Sequence, residues 1–390
     1  MLLPSVRNLV GPVIGGGRNK CWYSSSVRGL DGCIYGIGQR RYVVKFDPTD
    51  NSIKEVGPLL YTTFSSGALA GNGCIYCLSV FYPHYTTDIL KIDTIHGTVT
   101  VLKVEFPQEA VDVDLFVVEE SGTLANDGCL SFMPKDRRHI LKFNPQDDSM
   151  ICVGGDLGEE CVGRHPFPTP TPTGRLVGIS PHSEHVVIFN PMNDTTTFLR
   201  TGAGVRGCGW IHGNGVFGRD GNIYQVSDKA RVMKFDFTKR TFGPVGNVIM
   251  FDDDVHVLRR QRMHGSIRWW GDPIVGNDGC IYWPPRDCNR VLKYDPEFKY
   301  ASLVGDDFMY FQGKWFGGAL GPGGAIYYLP SSGAQVLVID PFKEFAMELK
   351  VAIKEYPENL GFLFRKMMNE DRTLCEKTIA KLKRKSLPTH

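Results

Sequence analysis

The sequence predicts an all-β fold, a seven-bladed β-propeller of four-stranded antiparallel blades with a short α-helical C-terminal tail. Three observations predict it. A Gly-centred turn recurs seven times, at Gly32, Gly73, Gly128, Gly174, Gly221, Gly279 and Gly324, at intervals of 41 to 58 residues. That period suits one four-stranded blade. Each turn is flanked by short β-branched and aromatic runs, not by apolar residues at helical spacing. Each unit usually closes on Asp-Pro or Asn-Pro, where proline cannot donate to a ladder and the strand must end.

The elements follow in chain order. Residues 1–17 read as an N-terminal extension, with Gly15-Gly16-Gly17 as a linker. Residues 18–352 read as the propeller and 353–390 as a helical basic tail. Within a blade the first strand precedes the turn, as in Trp315-Phe316-Gly317-Gly318-Ala319-Leu320, and the second follows it, as in Ala325-Ile326-Tyr327-Tyr328. The third is the run typified by Val43-Val44-Lys45-Phe46-Asp47-Pro48, and a weaker fourth follows, as in Ser52-Ile53-Lys54-Glu55-Val56. The fourth unit is degenerate but keeps the pattern, from Thr173-Gly174-Arg175-Leu176-Val177 to Val187-Ile188-Phe189-Asn190-Pro191, and the Pro-rich run 166–172 reads as its extended connector. Residues 345–353 fit an outer strand for the last blade. A single blade cannot bury both its faces, so seven of them are expected to close into a ring.

The phrase of the sixth unit, Asp278-Gly279-Cys280-Ile281-Tyr282 through Asn289-Arg290-Val291-Leu292-Lys293-Tyr294-Asp295, resembles NHL-type repeats and the blades of virginiamycin B lyase-type propellers. The resemblance covers most of the chain as a loose repeat pattern, without the Trp-Asp ending of WD-type blades. It implies the propeller superfold. Carried to function, it would imply a His and acidic residues near the axis that assist proton abstraction and metal binding. No residue of that family's site maps onto a position here, and a fold of this kind hosts many functions.

Composition narrows the classes. The 390 residues carry a net charge of only +2, so no bulk attraction to nucleic acid is implied. No apolar run is long enough to span a membrane. Eleven cysteines, an odd number without small-scaffold spacing, favour reduced thiols and an intracellular, cytoplasmic protein. Cys33, Cys74, Cys129 and Cys280 share one repeat position and read as a packing slot. Cys74 and Cys77 form a CxxC on a strand, where residues three apart face opposite sides, so they do not make a metal site. The first thirty residues hold Arg7, Arg18, Lys20 and Arg28 and no acid, the composition of a mitochondrial or plastid transit peptide. We read them instead as a loop leading into the first strand. Lys and Arg outnumber Asp and Glu beyond residue 342, and the basic cluster at 381–385 fits either nuclear import or a solvated helix end.

Propeller connectivity sorts the loops onto two faces. The Asp-Gly and Asp-Pro turns share one, which is rich in acids that bond their own turn backbone. The second-to-third-strand loops share the other with the blade-to-blade connections, and several are basic: Arg40 and Arg41, Arg137 and Arg138, Lys229 and Arg231, Arg286 and Arg290. Aromatic residues recur where the innermost strands begin, at Trp22, Phe64, Trp210, Trp269, Trp270 and Trp315, with Tyr23, Tyr61, His165, His212, Arg268 and Lys314 nearby. Together they outline a binding mouth on the central channel. Each aromatic taken singly also fits a wedge between blades. Insertions at about 104–122 and 248–268 add long loops, the second with Asp252-Asp253-Asp254.

No nucleophile elbow, phosphate loop or His-Glu-x-x-His motif occurs, so no catalytic residue, metal or cofactor is assigned. The expected function is a non-enzymatic interaction scaffold, a monomeric propeller that binds a protein segment or acidic ligand on its aromatic and basic face. Two alternatives stand beside it: a lyase or hydrolase with a metal-assisted site in the central channel, and a structural subunit of a larger assembly.

Overall fold

The computed structural model describes residues 9–12, 23–38, 42–64, 67–79, 88–105, 107, 122–133, 139–158, 167–179, 185–201, 213–249, 269–308, 314–331 and 335–341. They form seven four-stranded antiparallel sheets. Blade one runs outward through Tyr23–Arg28, Ile34–Gly38, Val43–Asp47 and Ser52–Val56, and the next five repeat that order. The innermost strands of blades two to seven are Ala68–Leu69, Gly122–Leu124, Phe167–Pro170, Val216–Phe217, Ile274–Val275 and Trp315–Leu320. Each touches the next, and the last touches the first, so the ring is closed.

All seven turn glycines have a positive φ, between 78° and 85°. An L side chain is strained there, which is why the repeat keeps glycine at this one place. The same hairpin bonds recur, as in Gly32 N to the Gly29 carbonyl and Gly29 N to the Cys33 carbonyl.

A second repeated device holds the hairpins, and it accounts for the turn acids. In blade one Asp31 accepts from the Cys33 N–H, the Tyr35 hydroxyl at 2.8 Å and the Lys45 ammonium at 2.7 Å. Blade five repeats this with Asp220, Tyr224 and Lys234, and blade six with Asp278, Tyr282 and Lys293. Burial pushes the carboxyls of Asp31 and Asp220 up, but these bonds outweigh it and hold both below the usual carboxylate range. Blade two substitutes Asn72, which donates to the Tyr76 hydroxyl. In blade three Lys142 bonds Asp127 at 2.7 Å and reaches Asp194 of blade four at 2.6 Å. At the second turn Asp47, Asp93, Asp236 and Asp295 each accept backbone N–H bonds two or three residues on.

The core lies in the seams. Seven apolar clusters fill the seven blade-to-blade junctions. The second-strand tyrosine packs on the next blade's third-strand aromatic: Tyr76 on Phe143, Tyr224 on Tyr294, and Tyr327 on Phe46 across the closure. The repeated cysteines belong to this packing; Cys33, Cys74 and Cys280 are buried, and all described cysteines are free thiols. Cys74 faces the seam with blade three and Cys77 the seam with blade one, as the strand period requires.

The ring closes in a way the repeat does not announce. The outermost strand of blade seven is Leu9–Val10, from the segment read as an N-terminal extension, with Leu9 opposite Leu337 and Val10 opposite Val336. Gln335 adds a bond from its Nε2 to the Gly11 carbonyl at 2.9 Å. The expected outer strand at 345–353 and the helical tail at 353–390 lie outside the described residues. Among the described residues no helix is long and apolar enough to cross a membrane.

Candidate functional site

The loop-bearing face is best defined at blades five to seven. Here the second strand of blade six, Ile281–Trp283, runs through two prolines into the loop 284–290. Pro284 and Pro285 keep that backbone extended and remove two donors. The loop then folds onto a single acceptor. The N–H groups of Arg286, Asp287 and Cys288 all point at the Trp269 carbonyl, at 3.0, 3.1 and 3.2 Å, and the Cys288 thiol donates to it at 2.9 Å. Blade seven locks the loop from the other side. Lys314 N donates to the Arg286 carbonyl, Lys314 Nζ donates to the Cys288 carbonyl at 2.8 Å, and Ser331 N donates to the Lys314 carbonyl.

The predicted aromatic residues serve this framework. Trp269 is buried, and its indole N–H donates to the Asp228 carbonyl of blade five at 2.6 Å. Trp270 donates to the Arg290 carbonyl and Trp315 to the Gln335 carbonyl, with Phe308 edge-on to Trp315 at 5.1 Å. Indoles that bury their rings and spend their N–H on a neighbouring loop are wedges, and these loops are stiff because of them. Phe64 is likewise buried, at the seam of blades one and two, while Tyr61 beside it is 83% exposed.

Lys314 sits inside this framework with 2% of its surface exposed. Burial pushes its ammonium below the ordinary 10.5, against the opposing pull of Cys288, Asp287 and Asp307. Burial likewise pushes the Cys288 thiol up to about 12, so it is not a nucleophile at neutral pH.

The described basic residues lie at the rim of the same framework. Lys229 is exposed and Arg231 half-buried, on the turn closed by Ser227 N to the Arg231 carbonyl. Arg286 lies over the Phe316 ring at 4.8 Å, and Arg290 donates to the Gly305 carbonyl at 3.3 Å. The structure thus brings Trp269, Trp315, Lys314, Arg286 and Arg290 to one junction, with Lys229 and Arg231 on the adjoining loop. Tyr61 and Phe64 belong to another seam. Tyr23 opens the inner strand of blade one. Trp22, His165, Trp210, His212, Arg268, Arg40, Arg41, Arg137 and Arg138 lie outside the described residues, as do most of the two insertions. Among the described residues no three His, Cys, Asp or Glu side chains come together as a metal site would need.

Fold and site together define a seven-bladed β-propeller whose loop-bearing face carries a stiff cationic rim. Solved propellers of this shape are similar to the chain over most of its length. Virginiamycin B lyase from Staphylococcus aureus superposes with a TM-score of 0.60 at 10% identity, covering 84% of this chain and 97% of that one. YCF48 bound to D1 peptide gives 0.55 at 12% identity, covering 87% and 99%. The extracellular domain of the putative hybrid two component system BT3049 from B. thetaiotaomicron gives 0.55 at 10% identity, covering 86% of this chain and 42% of that one. These identities establish the fold alone. No family model and no curated protein sequence matches the chain.

Proposed function

We propose that the chain is a non-enzymatic scaffold that binds an acidic protein segment on the loop-bearing face of blades five to seven. One observation carries this reading: the backbone of the 284–290 loop is tied down at every side while cationic groups are held at its rim. A stiff loop loses little entropy on binding, and that lowers the cost of capture. Arg286 over Phe316 offers a flat cationic and aromatic platform, and Lys229 and Arg231 extend its charge onto blade five. A propeller of the same shape, YCF48, is known bound to a peptide, which supports a peptide as the partner class. The metal-assisted lyase or hydrolase reading calls for converging ligands, and no described group supplies them.

The test is selection from a phage-displayed library of short random peptides on the full chain. Asp- and Glu-rich peptides are expected, with affinity that falls as salt is raised. Joint replacement Lys229→Glu and Arg231→Glu should leave the unfolding midpoint in place and reduce binding about tenfold or more. Binding indifferent to both salt and charge reversal overturns the proposal.

A further inference from the structure

The seam between blades four and five holds polar atoms that the fold does not use. Gln225, on the second strand of blade five (Ile223–Val226), has no exposed surface, and neither its Oε1 nor its Nε2 has a hydrogen-bond partner. The hydroxyls of Thr169 and Ser227, on residues 1% and 2% exposed, are also without partners.

These atoms belong to one place. Alternate residues of a strand share a face. Tyr224 packs towards blade six, so Ile223, Gln225 and Ser227 face blade four, where Ile223 joins an apolar cluster with Val177, Ile179 and Val186. Thr169 comes from the opposite wall, on the inner strand of blade four. A Cβ at Gly215 would stand 2.5 Å from Thr169 Oγ1 and 3.3 Å from Gln225 Cγ, so the glycine is what lets the two side chains approach.

Packing does not require an amide here. Four residues after the turn glycine, the other blades place Gly36, Cys77, Phe132, Gly178, Trp283 and Tyr328. Only blade five places a carboxamide there, and an unpartnered buried amide lowers stability. Such a group is retained where a ligand uses it.

We propose that this seam is a specificity pocket that takes the side-chain carboxamide of an Asn or Gln in the docked peptide segment. The inference rests on the peptide-binding reading above. A carboxamide presents a donor and an acceptor side by side, the complement of Gln225, and the Thr169 and Ser227 hydroxyls supply its remaining bonds. The rest of the wall is apolar, so a carboxylate would lose its hydration there without a cation to replace it. Ser227 also begins the turn that carries Lys229 and Arg231, so the pocket adjoins the cationic rim. The recognised element is therefore an Asn or Gln beside an acidic residue.

The experiment compares the full chain with Gln225→Met and Thr169→Val, two apolar replacements of similar volume, in the same peptide selection. The wild-type chain should select peptides in which Asn or Gln accompanies Asp or Glu. Gln225→Met should raise the unfolding midpoint by a few degrees. It should also keep the acidic preference, lose the carboxamide preference and weaken a selected synthetic peptide about tenfold. Thr169→Val should weaken the same peptide. A lower midpoint or failure to fold in Gln225→Met shows that the amide is a structural part and overturns the inference. So does an unchanged carboxamide preference in both variants, or a wild-type selection that is acidic but free of Asn and Gln. A wild-type selection without acidic peptides overturns the scaffold reading itself.

Discussion

Lys314 is a cation in a place that disfavours charge. Its ammonium has one partner, the Cys288 carbonyl, and its folded-state pKa is lowered by burial. The unfolded chain therefore binds the proton more tightly than the folded one. The penalty is full below the folded pKa and is relieved as pH rises from there towards the ordinary 10.5. Stability should accordingly rise with pH more steeply in the wild type than in Lys314→Met across the alkaline range below 10.5. The difference in slope is bounded at about 1.4 kcal/mol per pH unit for one proton. Urea titrations at several pH values measure it. At this scale the sequence was only partly legible. Trp269 and Trp315 stand out as recurring aromatics, but nothing local separates a ring that lines a mouth from one that wedges a seam. What decides is the indole N–H, and its acceptors, the Asp228 and Gln335 carbonyls, lie 41 and 20 residues away in the chain. Gln225 did leave a signal in the sequence, as the one carboxamide at a position otherwise held by glycine, cysteine or an aromatic.

The hairpin of one blade was the most legible element. Asp-Gly, the β-branched run and Asp-Pro each act through neighbours two to five residues away, so a sequence window contains the whole cause. The partnership of the turn Asp with a second-strand Tyr and a third-strand Lys extends that logic over about one hairpin. The repeat printed all three residues, yet reading them as a unit requires the register of the sheet. The partnership predicts an uneven ring. In blade four the corresponding places are Thr173, Val177 and Ile188, which cannot form it. Tyr224→Phe should cost blade five about 1–3 kcal/mol, because it removes a 2.6 Å bond to a carboxylate and leaves Asp220 with fewer donors. Val177→Ala should show only the ordinary loss of a buried aliphatic group. Native-state hydrogen exchange resolves the two, with the amides of 223–226 losing protection in the tyrosine variant.

The whole molecule depends on contacts that no window contains. Seven seams hold the core, and the one between blades seven and one joins Phe46 to Tyr327 and adds Leu9 and Val10 to the edge of Val336–Ile339. A two-residue strand shows no alternation, so the sequence gave no pattern by which to recognise it. Deleting residues 1–11 removes that strand and the Gln335 bond. From the hydrogen bonds and partly buried side chains lost, it should cost about 3 kcal/mol. It also uncovers a β edge, and the truncated chain should self-associate where the full chain does not. Sedimentation and thermal unfolding on the two chains check both outcomes.

That closure also imposes an order in time. Leu9 and Val10 leave the ribosome among the first residues, and their partners Leu337 and Val336 leave more than three hundred residues later. Blades can form in succession as they emerge, but the first is left with one bare flank until the seventh is made. Phe46 and Ile34, fully buried in the finished protein, are thus the earliest core residues synthesised on that flank and among the last to be covered. During synthesis the exposed surface of a growing chain lies at its oldest end as well as its newest.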